Sequence, residues 1–375
     1  MLVDDLRDAL RPFEDLLSCE VVVKSPGITR YGEQCRRLVD AGISVRGGLG
    51  LWLAGADRSR VLCVTGTKGK STTTSIAGGL LSGLGERYLL GGNLGVPPWD
   101  PEVGADYDWW VVETSSYQAL DVEVGPKVVA VTSLSEDHVP WHGGVDNYYR
   151  DKLSLCTRPG VEQVVADGGD LLLREHADRL GSAVDWVDRT AGPWSQGSQL
   201  LGEHNRRNAE IARRALVALG VPGADDEDRL TTAFRAFQPL PHRLTPVHNC
   251  DGVLFVDDSI STNVLSALAA VDSFPDRRVA LLVGGLERDI DYAPLAGGLA
   301  GRADVKVFTM PTNGPTIGSQ LRPRVAVQDC LSLQDAVQVA FTWARPGGVV
   351  LLSPAAASFD RFADYRERGA AFVAA

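Results

Sequence analysis

Lysine is scarce in this 375-residue chain. There are six, Lys24, Lys68, Lys70, Lys127, Lys152 and Lys306, against 31 arginines. Each retained lysine is either an accident of composition or a mark of chemistry that arginine cannot do. Positive charge is short overall. The formal net charge of −11 excludes a general nucleic-acid binder, because phosphate neutralisation needs a basic surface. A small anion held in a local pocket is still allowed. No apolar run reaches the roughly 18–20 residues of a membrane helix, so membrane insertion is not expected. The opening segment MLVDDLRDALRPFEDLL carries acids early and no apolar signal core, which predicts a cytoplasmic protein. The six cysteines, Cys19, Cys35, Cys63, Cys156, Cys250 and Cys330, form no C-x-x-C pair. They read as reduced thiols, not as a disulfide or zinc framework. Fixed-period repeats and low-complexity tracts are missing as well.

Short valine-rich runs are what the chain does have. They fall at 61–65, 109–113, 128–132, 161–166, 253–257, 279–284, 305–309 and 349–353. Each is apolar on both faces, as strands of a buried parallel sheet are. Helical patterns lie between several of them, at 71–84, 146–156, 204–219, 261–274 and 333–344. That alternation predicts an α/β architecture with right-handed crossovers. Breaks near 53–59 and within FQPLPHR, 237–243, divide the chain into 1–58, 59–240 and 241–375.

The segment VTGTKGKSTTT, 64–74, follows an apolar strand and opens a helix. Gly66 and Gly69 permit a tight turn whose backbone N–H groups face an anion. Thr67, Lys68 and Thr72 complete the loop. Lys70 reaches toward β- and γ-phosphates, Ser71 offers a hydroxyl to magnesium, and the helix adds its positive end. Val64 stands where the standard pattern has its first glycine, so this is a shorter variant. Such a loop serves a GTPase, a kinase, a motor ATPase or a ligase.

Three other residues bear on that choice. Glu113 ends a strand, where a carboxylate points into a ligand crevice; it is a magnesium ligand or a solvated strand-end acid. His138 follows another strand and is a second metal ligand or a structural hydrogen-bonder, since magnesium prefers oxygen. Lys152, on a helix, is a counter-charge or a lysine that carbon dioxide carbamylates into an anionic metal ligand.

The order of motifs over residues 20–375 resembles the Mur ligases of peptidoglycan precursor synthesis, the MurD branch most of all. SPG (25–27), TGTKGKS (65–71), GGNLGVP (91–97), ETSSYQ (113–118) and EDH (136–138) come first. The helix of Lys152, GEHNRRN (202–208), LPHR (240–243), DDSISTN (257–263), VGG (283–285) and LLSPAAASFDRF (351–362) come after them. The resemblance implies three domains: a shortened N-terminal substrate domain, a central P-loop ATPase domain and a C-terminal Rossmann-like domain. It implies a monomeric ligase that uses ATP to join glutamate to UDP-N-acetylmuramoyl-L-alanine through an acyl phosphate. Lys70 then resembles the γ-phosphate lysine. Ser71 and Glu113 resemble ligands of one magnesium, and His138 the ligand of a second. Lys152 matches the carbamylated lysine. Asn205 and Asn208 resemble adenine contacts, and Arg243 and Asp258 further ATP contacts. Ser25, Pro26, Gly27 and Asn93 resemble groups on the nucleotide substrate.

The chain departs from that pattern in two places. Only 24 residues precede Ser25, which predicts diphosphate contacts without the uridine segment. It also keeps open a ligase of this type recruited to a non-UDP substrate. In the amino-acid pocket Ile260 replaces a lysine, while Thr262 and Ser358 are kept. Arg288 stands near another lysine position, where it is a carboxylate partner or a loop charge. Tyr365 replaces a phenylalanine, as a substrate contact or a packed helix residue. WHGGVDNYY and RDKLSL look more like the branch that adds L-glutamate than the D branch.

Overall fold

The computed structural model describes residues 13–104, 106–196, 200–288 and 290–375. Residues 1–12, most of the acidic opening segment that lacks a signal core, lie outside the described residues. The chain divides into two compact units, Met1–Ser198 with Asn205–Phe237, and Gln199–His204 with Gln238–Ala375.

The first unit begins with a small parallel pair, β1 (Val21–Lys24) and β2 (Ser44–Gly47), covered by the helix Glu33–Asp40. Val22, Cys35, Leu38, Ile43 and Val45 make its core. A buried ion pair fastens this pair of strands to Asp121, at the end of the helix Ser116–Leu120. Lys24 meets one carboxylate oxygen of Asp121, and Arg30 lies 2.6 Å from the other. The Lys24 and Asp121 side chains are almost wholly withdrawn from water.

Six strands form the main sheet of this unit: β3 (Val61–Thr65), β4 (Tyr88–Gly92), β5 (Trp109–Glu113), β6 (Val128–Val131), β7 (Gln163–Asp167) and β8 (Val184–Val187). They are all parallel, in the order β4-β5-β3-β6-β7-β8. Every residue of β3 and β6 is buried, so these strands need continuous apolar runs, not alternation. The chain passes from β3 to β4 and β5 on one side, then to β6 on the other. That reversal opens a crevice at the carboxyl ends of β5, β3 and β6, where ligands of such sheets bind.

The second unit holds β9 (Thr245–Cys250), β10 (Val253–Asp257), β11 (Val279–Val283), β12 (Val305–Thr309), β13 (Ala326–Asp329) and β14 (Val349–Leu352). Their order is β13-β12-β11-β14-β10-β9, and only the edge strand β9 runs antiparallel. Apolar clusters cover both faces of this sheet. The α/β architecture expected from the alternation is therefore the one observed. All eight anticipated runs form strands. β7 starts at Gln163, not 161, because the backbone is still turning at Gly160, with φ +97. The helix expected over 261–274 starts at Val264, since the Asn263 side chain accepts from Ser266 N and caps it. The helix expected over 146–156 spans Val145–Leu153 and tightens into a 3₁₀ turn, Ser154–Thr157. Among the described residues no helix is long and apolar enough to cross a membrane.

Taking one partner from a buried ion pair leaves the other charge uncompensated. Asp121→Asn is therefore expected to cost about 3–5 kcal/mol, read as a lower denaturation midpoint of the first unit. An unchanged midpoint would mean that the pair adds nothing.

Candidate active site

The site starts where β3 ends. Gly66 has φ +131, and a Cβ there would lie 2.2 Å from Thr132 Oγ1. Gly69 has φ +87 and caps the helix Lys70–Leu84. A Cβ at Gly69 would lie 2.9 Å from Asn208 Oδ1, so the loop needs glycine at both positions. The segment after β6 holds it. Thr67 N donates to Ser133 O at 2.8 Å, Lys68 N to Ser133 Oγ at 2.8 Å, and Thr67 Oγ1 to Ser135 O at 3.0 Å. Lys70 Nζ folds back onto the carbonyls of Gly66 (2.9 Å) and Thr67 (3.0 Å). Lys152, from the helix Val145–Leu153, sends its buried Nζ to the same Gly66 carbonyl at 2.8 Å. Burial, helped by Lys70 and Lys68 and opposed by Asp137, holds the Lys152 amine well below the usual lysine range. Burial thus makes the neutral amine easier to reach at Lys152 than at an exposed lysine.

Glu113 closes β5 and is buried. Its Oε1 accepts from Asn93 Nδ2 at 3.0 Å, and Asn93 N donates to Glu113 O at 2.9 Å. Its Oε2 is also buried, but has no hydrogen-bond partner. A bare buried carboxylate oxygen is costly, and a hard cation is the group that satisfies it. His138 stands at the start of the short helix Val139–His142 with φ +50, its ring 5.3 Å from that of Tyr117. Burial, with Lys68, Lys152 and Lys70, lowers its pKa against the pull of Asp137. Burial pushes the Asp137 carboxyl up, but Lys68, 3.1 Å away, and His138 outweigh it and leave it below the ordinary range. Among the described residues no three of His, Cys, Asp and Glu gather as a metal cluster. The oxygen donors here are of mixed kind: the Glu113 carboxylate, the Ser71 hydroxyl and, only if carbamylated, Lys152.

A second network has no counterpart among the sequence expectations. His142 Nε2 lies 3.0 Å from Ser116 Oγ, and Nδ1 lies 2.7 Å from Asp151 Oδ2. The order Ser–His–Asp is that of a hydrolase triad, but Ser116 and His142 are both sealed from solvent. The network therefore works as a tie. It holds the ETSSYQ segment to the helix of Lys152, and Tyr31 Oη donates to Asp151 at 2.8 Å from the N-terminal segment. His142 is within view in WHGG; its partners, 26 and nine positions away, are brought together only by the fold.

The remaining expected residues fall in two groups, one in each unit. The Ser25-Pro26-Gly27 turn is exposed, and Gly27 O accepts from Trp141 Nε1 at 3.0 Å, so it stands beside the segment of His138. Asn205 and Asn208 are buried on the helix Glu203–Leu219, Asn208 against Gly69. In the second unit Arg243 precedes Leu244, whose N–H donates to Asp258 Oδ1 at 3.1 Å. Asp258 Oδ2 accepts from Ser261 Oγ at 2.6 Å and Ser353 Oγ at 2.7 Å. Both Asp258 oxygens are thus engaged inside the unit. Arg288 lies over the Phe359 ring at 5.9 Å, next to Ser358. Thr262 is exposed, and the Tyr365 ring meets His242 edge-on at 5.6 Å.

Two family models match the chain, the Mur ligase middle domain over residues 64–179 and the Mur ligase glutamate ligase domain over 242–356. The chain is 38% identical over 383 residues to the UDP-N-acetylmuramoyl-L-alanine–L-glutamate ligase of Micromonospora sp., covering 97% of this chain and 83% of that one. The protein of the same name from Xanthomonas euvesicatoria pv. vesicatoria is 38% identical over 410 residues, covering 99% and 86%. This chain belongs to the Mur ligase family. Solved structures support the same fold. UDP-N-acetylmuramate-alanine ligase MurC from Thermotoga maritima superposes with a TM-score of 0.61 at 18% identity, covering 95% of this chain and 84% of that one. The Yersinia pestis bifunctional folylpolyglutamate synthase/dihydrofolate synthase, complexed with AMPPNP and Mn, superposes with a TM-score of 0.61 at 16% identity, covering 87% and 91%. Within this Mur ligase the glycine loop and Lys152 fall in the span of the middle-domain model, and Arg288 in that of the glutamate ligase model.

Burial pushes the Asp258 carboxyl up to about 6, against the hydrogen bonds of Ser261, Ser353 and Leu244. A raised folded-state pKa gives a contribution to stability that is complete below the unfolded value of 3.8 and fades as pH rises through about 6. Wild type is therefore expected to lose about 2 kcal/mol relative to Asp258→Asn between pH 4 and 7, measured by denaturant unfolding. A pH-independent difference would contradict this.

Proposed function

We propose that this Mur ligase joins glutamate to UDP-N-acetylmuramoyl-L-alanine with hydrolysis of ATP to ADP and phosphate. The observation that carries the reading is the meeting of Lys70 and the buried Lys152 on the Gly66 carbonyl, with the unsatisfied Glu113 oxygen at the end of the neighbouring strand. Relatives named for that reaction at 38% identity support it. Those names specify L-glutamate, and WHGGVDNYY and RDKLSL favour the same enantiomer. The reaction is proposed for the cytoplasm, where the free cysteines stay reduced.

A carboxylate is a poor acyl donor because its leaving group is bad. Phosphorylation by ATP replaces that group with phosphate. The Gly66–Gly69 turn and the helix start at Lys70 cradle the transferring phosphate with N–H groups, and the Lys70 ammonium turns from the loop carbonyls to the γ-phosphoryl. The glutamate amino group then attacks the acyl phosphate, and a tetrahedral intermediate expels phosphate. Ser71 and Glu113 would hold one magnesium, and His138 with carbamylated Lys152 a second. When bound, these ions neutralise charge on two anionic substrates in an acidic protein. The lowered pKa of Lys152 supports the carbamate, since only the free amine attacks carbon dioxide. Asn93 aligns Glu113, and Ser25, Pro26 and Gly27 touch the nucleotide substrate. Asn205 and Asn208 serve the adenine end and Arg243 the phosphates. Asp258 acts on the ATP side by fixing the backbone next to Arg243.

Phosphate release with UDP-N-acetylmuramoyl-L-alanine and ATP is expected with L-glutamate and to be weaker with D-glutamate. Turnover with neither enantiomer would refute the reading. Lys152→Arg is expected to lose nearly all turnover, with partial recovery in millimolar short carboxylates. Wild-type turnover in that variant would exclude the carbamate.

A further inference from the structure

Arg368 is the largest cation in the second unit that water does not reach. It lies on the helix Tyr365–Ala374, which the Asp364 side chain caps by accepting from Arg366 N and Glu367 N, and it is 1% exposed. Its guanidinium binds backbone only. Nη2 donates to Ser259 O at 2.7 Å and to Ala356 O at 3.0 Å, and Nη1 to Gly284 O at 3.4 Å. Those three carbonyls come after β10, β14 and β11, which are adjacent in the sheet. The three loops carry Thr262, Ser358 and Arg288 respectively.

These loops also pack directly on one another. Gly284 N donates to Pro354 O at 2.9 Å and Leu286 N to Ala357 O at 2.8 Å. A Cβ at Gly285, where φ is +157, would lie 2.1 Å from Ala357 O. No carboxylate forms an ion pair with Arg368 among the described residues, and its Nε has no partner. Burial lowers its pKa only to about 10, so the group stays protonated at neutral pH. Asp360 and Asp257 act on it through space without pairing with it, and a buried arginine with no paired carboxylate is expensive to keep. What it provides is a planar fork with donors set far enough apart to reach three separate chain segments.

We infer that Arg368 is the positioning residue of the acceptor pocket, fixing the three loops that present Thr262, Arg288 and Ser358 to a dicarboxylate amino acid. The identity of that acceptor rests on the glutamate ligase reading; the clasp itself does not.

The test is Arg368→Lys, which keeps the charge but offers donors from a single nitrogen. Expected is a KM for glutamate raised about tenfold or more, the worth of one charged hydrogen bond, with the KM for ATP within about twofold. A glutamate KM unchanged, or both constants moving together, overturns the assignment. A second measurement needs no substrate. Backbone amide exchange in resting wild type should be slow over 259–263, 284–288 and 355–358, and faster in Arg368→Lys, while β12 is unchanged. Fast exchange of these loops in wild type refutes the clasp even if the variant does not fold. Should wild type turn over with no amino acid, the ligase reading fails and the exchange data still decide the clasp.

Discussion

The carbonyl of Gly66 is the point on which the first unit's site depends. Two lysine side chains end on it, Lys70 from the helix that the loop opens and Lys152, 86 residues further along the chain. Only glycine fits there, because Thr132 stands against its Cα. Thr132 is held in turn, its hydroxyl donating to Thr65 O at 3.1 Å and Lys68 O at 2.5 Å. The loop is thus clamped by β6 on one side and by Asn208 on the other before any ligand arrives. Such preorganisation lowers the reorganisation needed when charge moves between phosphoryl oxygens. It also keeps two amines close together, and burial followed by the nearness of Lys70 lowers the pKa of the deeper one, Lys152.

Both sheets have one plan. Parallel strands end on the same edge, so the loops that leave them gather there whatever their distance in sequence. In the first unit the loops after β3, β5 and β6 bring together the glycine loop, Glu113 and the segment of His138. In the second, the loops after β10, β11 and β14 bring together Thr262, Arg288 and Ser358. Each group is tied from beneath by a network whose members are buried: Ser116, His142 and Asp151 in one, Arg368 in the other.

How much of this the sequence shows depends on what each feature requires. A phosphate loop needs a strand, two glycines and a helix start within a dozen residues, so its signal is local and readable. Glu113 is readable for the same reason, as an acid ending an apolar strand. Strands β1, β2, β4, β8, β9 and β13 are not anticipated; they are short, and most are partly exposed, with mixed composition. The tie through His142 is hidden for another reason. Its meaning lies in partners at positions 116 and 151, and no spacing rule links them. Asn93 shows a third case. The motif singles it out for the nucleotide substrate, whereas its amide donates to Glu113, a contact that only the fold reveals. Arg368 looks from the sequence like one of 31 arginines.

The imbalance between arginine and lysine takes its meaning from two buried cations, Lys152 and Arg368. Burial penalises the charged form of both. Lysine starts near 10.4 and arginine above 12, so burial brings Lys152 nearer to the neutral amine than it brings Arg368, which stays at about 10. Arg368 stays a cation, able to donate in several directions at once. Exchanging the two residue types would fail at both positions. Arginine at 152 would hold its proton more tightly than lysine does, and lysine at 368 would concentrate its donors at one point where three loops must be reached. Position 152 thus carries the side chain whose pKa burial lowers, in a chain that otherwise favours arginine.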